Sequence, residues 1–233
     1  MQFAQWKHQS QMRRIDDLQC NGLMLVQDTD DYCFTSDAVL LANYFKVPKG
    51  ANVVELCSGS GVISILGSAK TNAGHFYCIE RSNSLCEMCK ESLTLNNLQN
   101  ITIYNADVTQ APELLKGISV GAVVVNPPYF KVGGDTAVSV NPKIASATHE
   151  VFTNMQTIAQ VSSKLLKDGG KLFMCYPTDR LAELFACLAN NNLQPKHTML
   201  VKGSPTKPIS LALITAVKSG KVGLKIDVTS VKI

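Results

Sequence analysis

From residue 50 onward the chain alternates short apolar runs with segments of helical period, and this restricts the fold more than any other feature. Asn52-Val-Val-Glu-Leu-Cys57 reads as a buried strand, followed by a Gly-Ser-Gly turn and an apolar segment reaching Ala69. Residues 75–80, 101–104, 121–126 and 171–176 read as further strands, with two last ones near 196–201 and 209–217. Met155, Ile158, Ala159, Ser162, Leu165 and Leu166 keep helical spacing, with Gly169 as a stop; so do Leu181, Leu184, Phe185 and Leu188. The helix after the second strand is expected to open at Ser82 or Ser84, the latter with capping-box spacing to Glu87. Strands alternating with helices predict an α/β fold, a mostly parallel seven-stranded sheet with helices on both faces.

The first 34 residues do not follow the alternation. They are expected to form a short N-terminal extension with a small strand pair, 23–26 against 32–34, ahead of a domain spanning 35–233 and opening with a helix at 37–42. A chain of 233 residues, 45% of them hydrophobic, suits one larger domain and excludes disorder. The eight cysteines lack the dense, regular spacing of a disulfide framework. The one Cys-x-x-C, Cys86 to Cys89, has no second pair, so no metal is expected. The start has no signal-peptide apolar region, and no apolar run approaches the ~20 residues of a membrane span. A cytoplasmic location without membrane contact is the expectation. Between Tyr129 and Glu150 no element is evident, and 131–147 is too long for a compact connection.

The chemistry-bearing residues fall at strand ends. Glu55-Leu-Cys57-Ser-Gly59-Ser-Gly61 closes the first strand and opens a helix, where glycines admit close backbone approach and the helix start offers unpaired N–H groups. Glu80 ends the second strand, 19 residues beyond Gly61, as an acid that accepts from ribose hydroxyls would. Position 64 is Ser rather than the third glycine of a dinucleotide fingerprint, which disfavours NAD. Asp107 follows the third strand over the same crevice, placed to accept from an adenine amino group. Each acid alone is ordinary in a loop, but together they align on successive strand ends.

After the fourth strand comes Asn126-Pro127-Pro128-Tyr129. With this motif the chain resembles the class I S-adenosylmethionine-dependent methyltransferases of the N-P-P-Y kind, which methylate planar amino or amide nitrogens. The resemblance implies a Rossmann-like fold and S-adenosyl-L-methionine as cofactor, leaving as S-adenosyl-L-homocysteine. It makes Glu55, Cys57, Gly59 and Gly61 the cofactor loop, with Glu80 on ribose and Asp107 on adenine. Asn126 and the Pro127 carbonyl would accept from the target N–H groups while Tyr129 stacks on the base. An aromatic amino nitrogen is a poor nucleophile, so such acceptors would favour the charge developing there.

Phe34-Thr-Ser-Asp37-Ala-Val-Leu-Leu-Ala42, the segment 126–130, the His149-Glu150 pair and the ending 208–224 are similar to the bacterial tRNA1(Val) adenine-37 N6-methyltransferases. This implies a tRNA partner, N6 of adenosine 37 as target, and Asp37 beside the methionine part of the cofactor. Cys57 stands where that family commonly has glycine. His149 and Glu150 either orient a substrate loop or begin a solvated helix. Alternatives are a glutamine N5-methyltransferase, which carries a helical domain ahead of the cofactor domain, a ribosomal RNA N-methyltransferase, and a non-catalytic RNA-binding or folding protein. A DNA methyltransferase needs a recognition domain for which there is little room, so no DNA partner is expected. The default oligomeric state is a monomer.

The formal charge of +4 is unevenly spread. Residues 1–14 carry +3 and 195–233 carry +6, against −5 for 15–194. The basic ends are expected to track tRNA phosphates, Lys196, Lys202, Lys218 and Lys221 among them.

Overall fold

Neighbouring residues of the central strands face two separate apolar layers: Val53 opposite Val54, Val124 opposite Val123, and Phe173 and Cys175 opposite Leu172, Met174 and Tyr176. Such runs, apolar on both faces, are what a parallel sheet covered on both sides requires. The structure is a computed structural model that describes residues 13–128, 153–204 and 206–230. Its sheet contains β3 (Asn52–Leu56), β4 (His75–Glu80), β5 (Ile101–Asn105), β6 (Val120–Val125), β7 (Leu166–Pro177), β8 (Leu193–Lys202), β9 (Ile209–Lys218) and β10 (Lys225–Ser230). On one face lie α1 (Ser36–Tyr44), α2 (Val62–Lys70) and α3 (Asn83–Leu95). On the other lie α4 (Ala111–Leu114), α5 (Met155–Leu165) and α6 (Leu181–Asn190).

The sheet has eight strands rather than seven, in the order β10-β8-β9-β7-β6-β3-β4-β5. Pairing is parallel except where β9 runs antiparallel between β7 and β8. The short connection from β8 to β9 permits only that direction. The added strand β10 lies parallel to β8, and all six of its residues are exposed. The order reverses at β3, which has β4 on one side and β6 on the other, so a crevice opens above their carboxyl ends.

Two local expectations change, and between two stated alternatives for a helix start one is selected. The N-terminal strand pair is β1 (Arg13–Asp17) with β2 (Met24–Asp28), not 23–26 with 32–34. It docks on α3, where Val26 N donates to Ser92 Oγ (2.9 Å) and Met24 N to Asn96 Oδ1 (2.8 Å). Ser82, not Ser84, caps α3, because the Ser84 hydroxyl donates to Asp31 (2.6 Å). Gly169 does not stop α5, which ends at Leu165; with a φ of 75° it lies where β7 changes register against β6. Tyr129, His149, Glu150 and the segment 131–147 lie outside the described residues. All eight cysteines are free thiols. Among the described residues no helix is long and apolar enough to cross a membrane.

Candidate active site

The crevice holds a cavity of about 380 Å³, within the range of small-molecule sites. Seven of the ten residues singled out from sequence line it: Glu55, Cys57, Gly59, Glu80, Asp107, Asn126 and Pro127. Two do not. Gly61 is the N-cap of α2, and Asp37 sits in the first turn of α1, where its charge acts on Tyr32 and Cys175. The tenth, Tyr129, is not described.

The acids are each committed to backbone before any ligand arrives. Glu55, buried under the sheet edge, accepts from Ser64 N (2.8 Å) and the Ser64 hydroxyl, so a carboxylate from β3 satisfies a first-turn N–H of α2. Burial pushes its pKa up from 4.5 to about 7, although the Ser64 bonds oppose the shift. Glu80 accepts from Gly59 N (2.9 Å) with one oxygen and from Ser82 N (2.7 Å) with the other. Burial raises its pKa against those bonds. Asp107 begins a 3₁₀ turn at Val108–Gln110, accepting from Thr109 N (3.0 Å) and Thr109 Oγ1 (2.6 Å). Burial would raise its pKa, but the Thr109 bonds outweigh it and hold the carboxyl below its usual range.

The glycines serve different ends. Gly59 and Gly61 both have positive φ, 55° and 82°. A Cβ on Gly59 would meet nothing within 4 Å, whereas one on Gly61 would lie 2.6 Å from Cys89 Sγ. Gly59→Ala is therefore expected to lose only the left-handed penalty of about 1–2 kcal/mol. Gly61→Ala adds overpacking of about 1–3 kcal/mol. Urea unfolding separates them, and equal losses would count against the Cys89 contact. Cys57 has a φ of 54°, so its side chain bears the strain that glycine would escape.

Glu55 also predicts a pH dependence. Its raised pKa means that the folded state binds the proton more tightly, so this stability is present below pH 4.5 and lost as pH rises through 7. Glu55→Gln keeps an oxygen for both Ser64 bonds and removes the titration. Wild type is expected to lose on the order of 3 kcal/mol relative to Glu55→Gln across that interval. Parallel pH profiles in denaturant would overturn the assignment.

Several lining residues were not singled out: Tyr32, Ser58, Arg81 and Thr153 among them. Ser58 Oγ and Thr153 Oγ1 are buried with no partner among the described residues. Cys175, on β7, donates its thiol hydrogen to Asn126 Oδ1 at 2.8 Å. Burial pushes the Cys175 pKa up, which keeps it a donor.

Solved structures share this architecture. A predicted O-methyltransferase from Agrobacterium tumefaciens aligns with a TM-score of 0.66 at 20% identity, covering 84% of this chain and 86% of its own. TYW2 of M. jannaschii, solved with AdoMet, aligns with a TM-score of 0.59 at 14% identity, covering 88% and 85%. The fold is the Rossmann-like one of the class I S-adenosylmethionine-dependent methyltransferases. Residues 34–183 match the Methyltransferase small domain model, and the chain belongs to that family. Among curated relatives, the tRNA1(Val) (adenine(37)-N6)-methyltransferase of Shewanella halifaxensis is 22% identical over 71% of this chain and 66% of its own length. That of Photobacterium profundum is 22% identical over 79% and 77%. The release factor glutamine methyltransferase of Mycolicibacterium smegmatis is 26% identical over 54% and 46%.

S-adenosyl-L-methionine is the cofactor that the family and fold support for this cavity. The residues fit it. A carboxylate has about four lone-pair sites, so Glu80 keeps acceptor capacity for ribose beside its backbone bonds to Gly59, Ser82 and Arg81. The unpartnered Ser58 and Thr153 hydroxyls offer further polar contacts.

Proposed function

We propose that this protein methylates the exocyclic N6 of an adenosine in tRNA, with adenosine 37 of tRNA1(Val) as the target. The observation carrying this reading is that Asn126 and Pro127 share one cavity with Glu80 and Asp107. The relatives named as tRNA1(Val) enzymes supply the choice of substrate.

Held by the Gly59 turn, Glu80 and Asp107, S-adenosyl-L-methionine would supply an electrophilic methyl and keep the C–S bonding pair as S-adenosyl-L-homocysteine. Asn126 Oδ1, oriented by the Cys175 thiol, accepts from one N6–H of the flipped adenine, and the Pro127 carbonyl accepts from the other. These acceptors aim the nitrogen lone pair at the methyl. The surplus N6 proton passes to water. An anticodon loop is already unpaired, which lowers the few kcal/mol needed to withdraw the base. Glutamine methylation uses the same acceptors, and the release-factor relative keeps it as the second reading.

The decisive test supplies labelled cofactor together with total tRNA and a release factor. N6-methyladenosine in tRNA is expected; label confined to the release factor would overturn the reading.

The charge asymmetry does not map onto the pocket. Lys202 and Lys207 lie at the carboxyl edge with the cavity, while Lys196, Lys218 and Lys221 lie at the opposite, amino edge. Lys196 donates to the Lys221 carbonyl and Lys218 to Ser163, neutral partners, and neither lysine has an acidic partner among the described residues.

A further inference from the structure

Among the described residues β10 pairs only with β8, and its other backbone edge has no neighbour. Its apolar residues share one face: Ile226 is 58% exposed and Val228 59%, with Leu224 in the same alternation just before the strand. Leu200 on β8, opposite Val228, continues that face. An edge with this much uncovered apolar surface is a template for another strand.

The sequence of β10 specifies which strand fits. In an antiparallel pairing of two copies centred on Ile226, Lys225 of each copy lies opposite Asp227 of the other. Ile226 then meets Ile226, and Leu224 meets Val228 on the apolar face. Centring on Asp227 would set two carboxylates against each other, and cross-strand like charges are unfavourable. Asp227 is already oriented by His197 Nε2 (2.8 Å), itself bonded through Nδ1 to Tyr44 (2.7 Å). A carboxylate has acceptor sites to spare for a lysine as well.

We infer that β10 pairs with β10 of a second copy in this register, forming a two-fold dimer with one continuous sheet whose composite edge binds RNA phosphates. The RNA part rests on the function proposed above. A two-fold axis normal to the sheet reverses strand direction across the joint, so the amino edge of one protomer lies beside the carboxyl edge of its partner. That amino edge carries Lys167, Lys171, Lys196, Lys218 and Lys221, with Asp168 among them. The cavity itself is lined by Asp31, Glu55, Glu80 and Asp107 against Arg81, a poor field for a polyanion. Pairing supplies the missing positive surface. From β6, which presents Asn126, to the partner's β8 is six strand spacings, about 29 Å at ~4.8 Å each, a span that an anticodon stem and loop can bridge.

Sedimentation of the full chain at tens of micromolar is expected to give twice the chain mass. Lys225→Glu and Asp227→Lys should each weaken the dimer at least tenfold, and the double variant should restore it. A wild-type monomer, or a double variant that stays monomeric, overturns the pairing. Ile226→Lys, which sets two charges on the axis, should be monomeric with unchanged cofactor affinity. Its affinity for total tRNA should fall about tenfold with a flatter salt dependence. Unchanged tRNA affinity and slope in that monomer overturn the composite surface. If the wild-type dimer binds no tRNA, the substrate reading fails while the strand pairing stands.

Discussion

Replacing Asn126 with alanine is expected to reduce turnover about 10²–10³-fold while the dissociation constant for S-adenosyl-L-methionine stays within a few-fold. The magnitude is that of deleting one preorganised polar group aimed at developing charge. The separation of effects follows from the architecture. Asn126 follows β6, whereas the Glu80 bonds to Gly59 and Ser82 span β4 and the turn before α2. The two sets share a cavity but no hydrogen bond. Removing the Asn126 side chain also leaves the Cys175 thiol without its acceptor, a small cost because thiols are weak donors. Single-turnover kinetics with tRNA and calorimetric titration of the cofactor give the two readouts. A collapse of cofactor affinity would place Asn126 in the cofactor site instead.

Glu80→Ala should behave in the opposite way. Its two oxygens hold Gly59 N and Ser82 N, and we propose that with cofactor bound they also accept from the ribose hydroxyls. Hydrogen bonds to a charged group are each worth about 1.5–3 kcal/mol, so losing the ribose pair should weaken cofactor binding by about 10² or more. Glu80→Gln keeps one oxygen as acceptor and should fall between. At saturating cofactor the rate should recover substantially in both, since neither touches the target nitrogen. A change below threefold in Glu80→Ala would remove Glu80 from the cofactor site.

What could be read from sequence was set by how local the determinants are. The βα alternation and the Glu80 spacing depend on residues close in the chain, and the structure brings Glu80 back to Gly59. Orientation does not follow from sequence: Asp37, set beside the cofactor by resemblance, sits in the first turn of α1, and Gly61 of the glycine loop caps α2, and neither lines the cavity. Gly61 is required by Cys89, 28 positions later. Ser82 and Ser84 were equal candidates for the α3 cap until Asp31, far upstream, took the Ser84 hydroxyl. The donor to Asn126 lies 49 residues away on β7, and nothing around Cys175 advertises it.

Strands with no buried face were the hardest to see. β10 reads Lys-Ile-Asp-Val-Thr-Ser, six exposed residues whose alternation is short and half polar. β1 reads Arg-Arg-Ile-Asp-Asp and is ordered by β2 across five register pairs rather than by its own composition. Both are placed by backbone pairing, which carries little sequence signal.

The strand order also constrains how the chain assembles as it emerges from the ribosome. Strands β3 to β6 find all their partners among residues up to 177, and β7 finds one of its two there. β8 cannot: both of its neighbours, β9 and β10, are made after it, and β9 must come between it and β7. Synthesis therefore passes through a stage with β7 open on one side and β8 unpaired, until Ile209–Lys218 arrives to join them. A nascent chain is most exposed to misassembly over that interval, and the last quarter of the protein must dock as a unit.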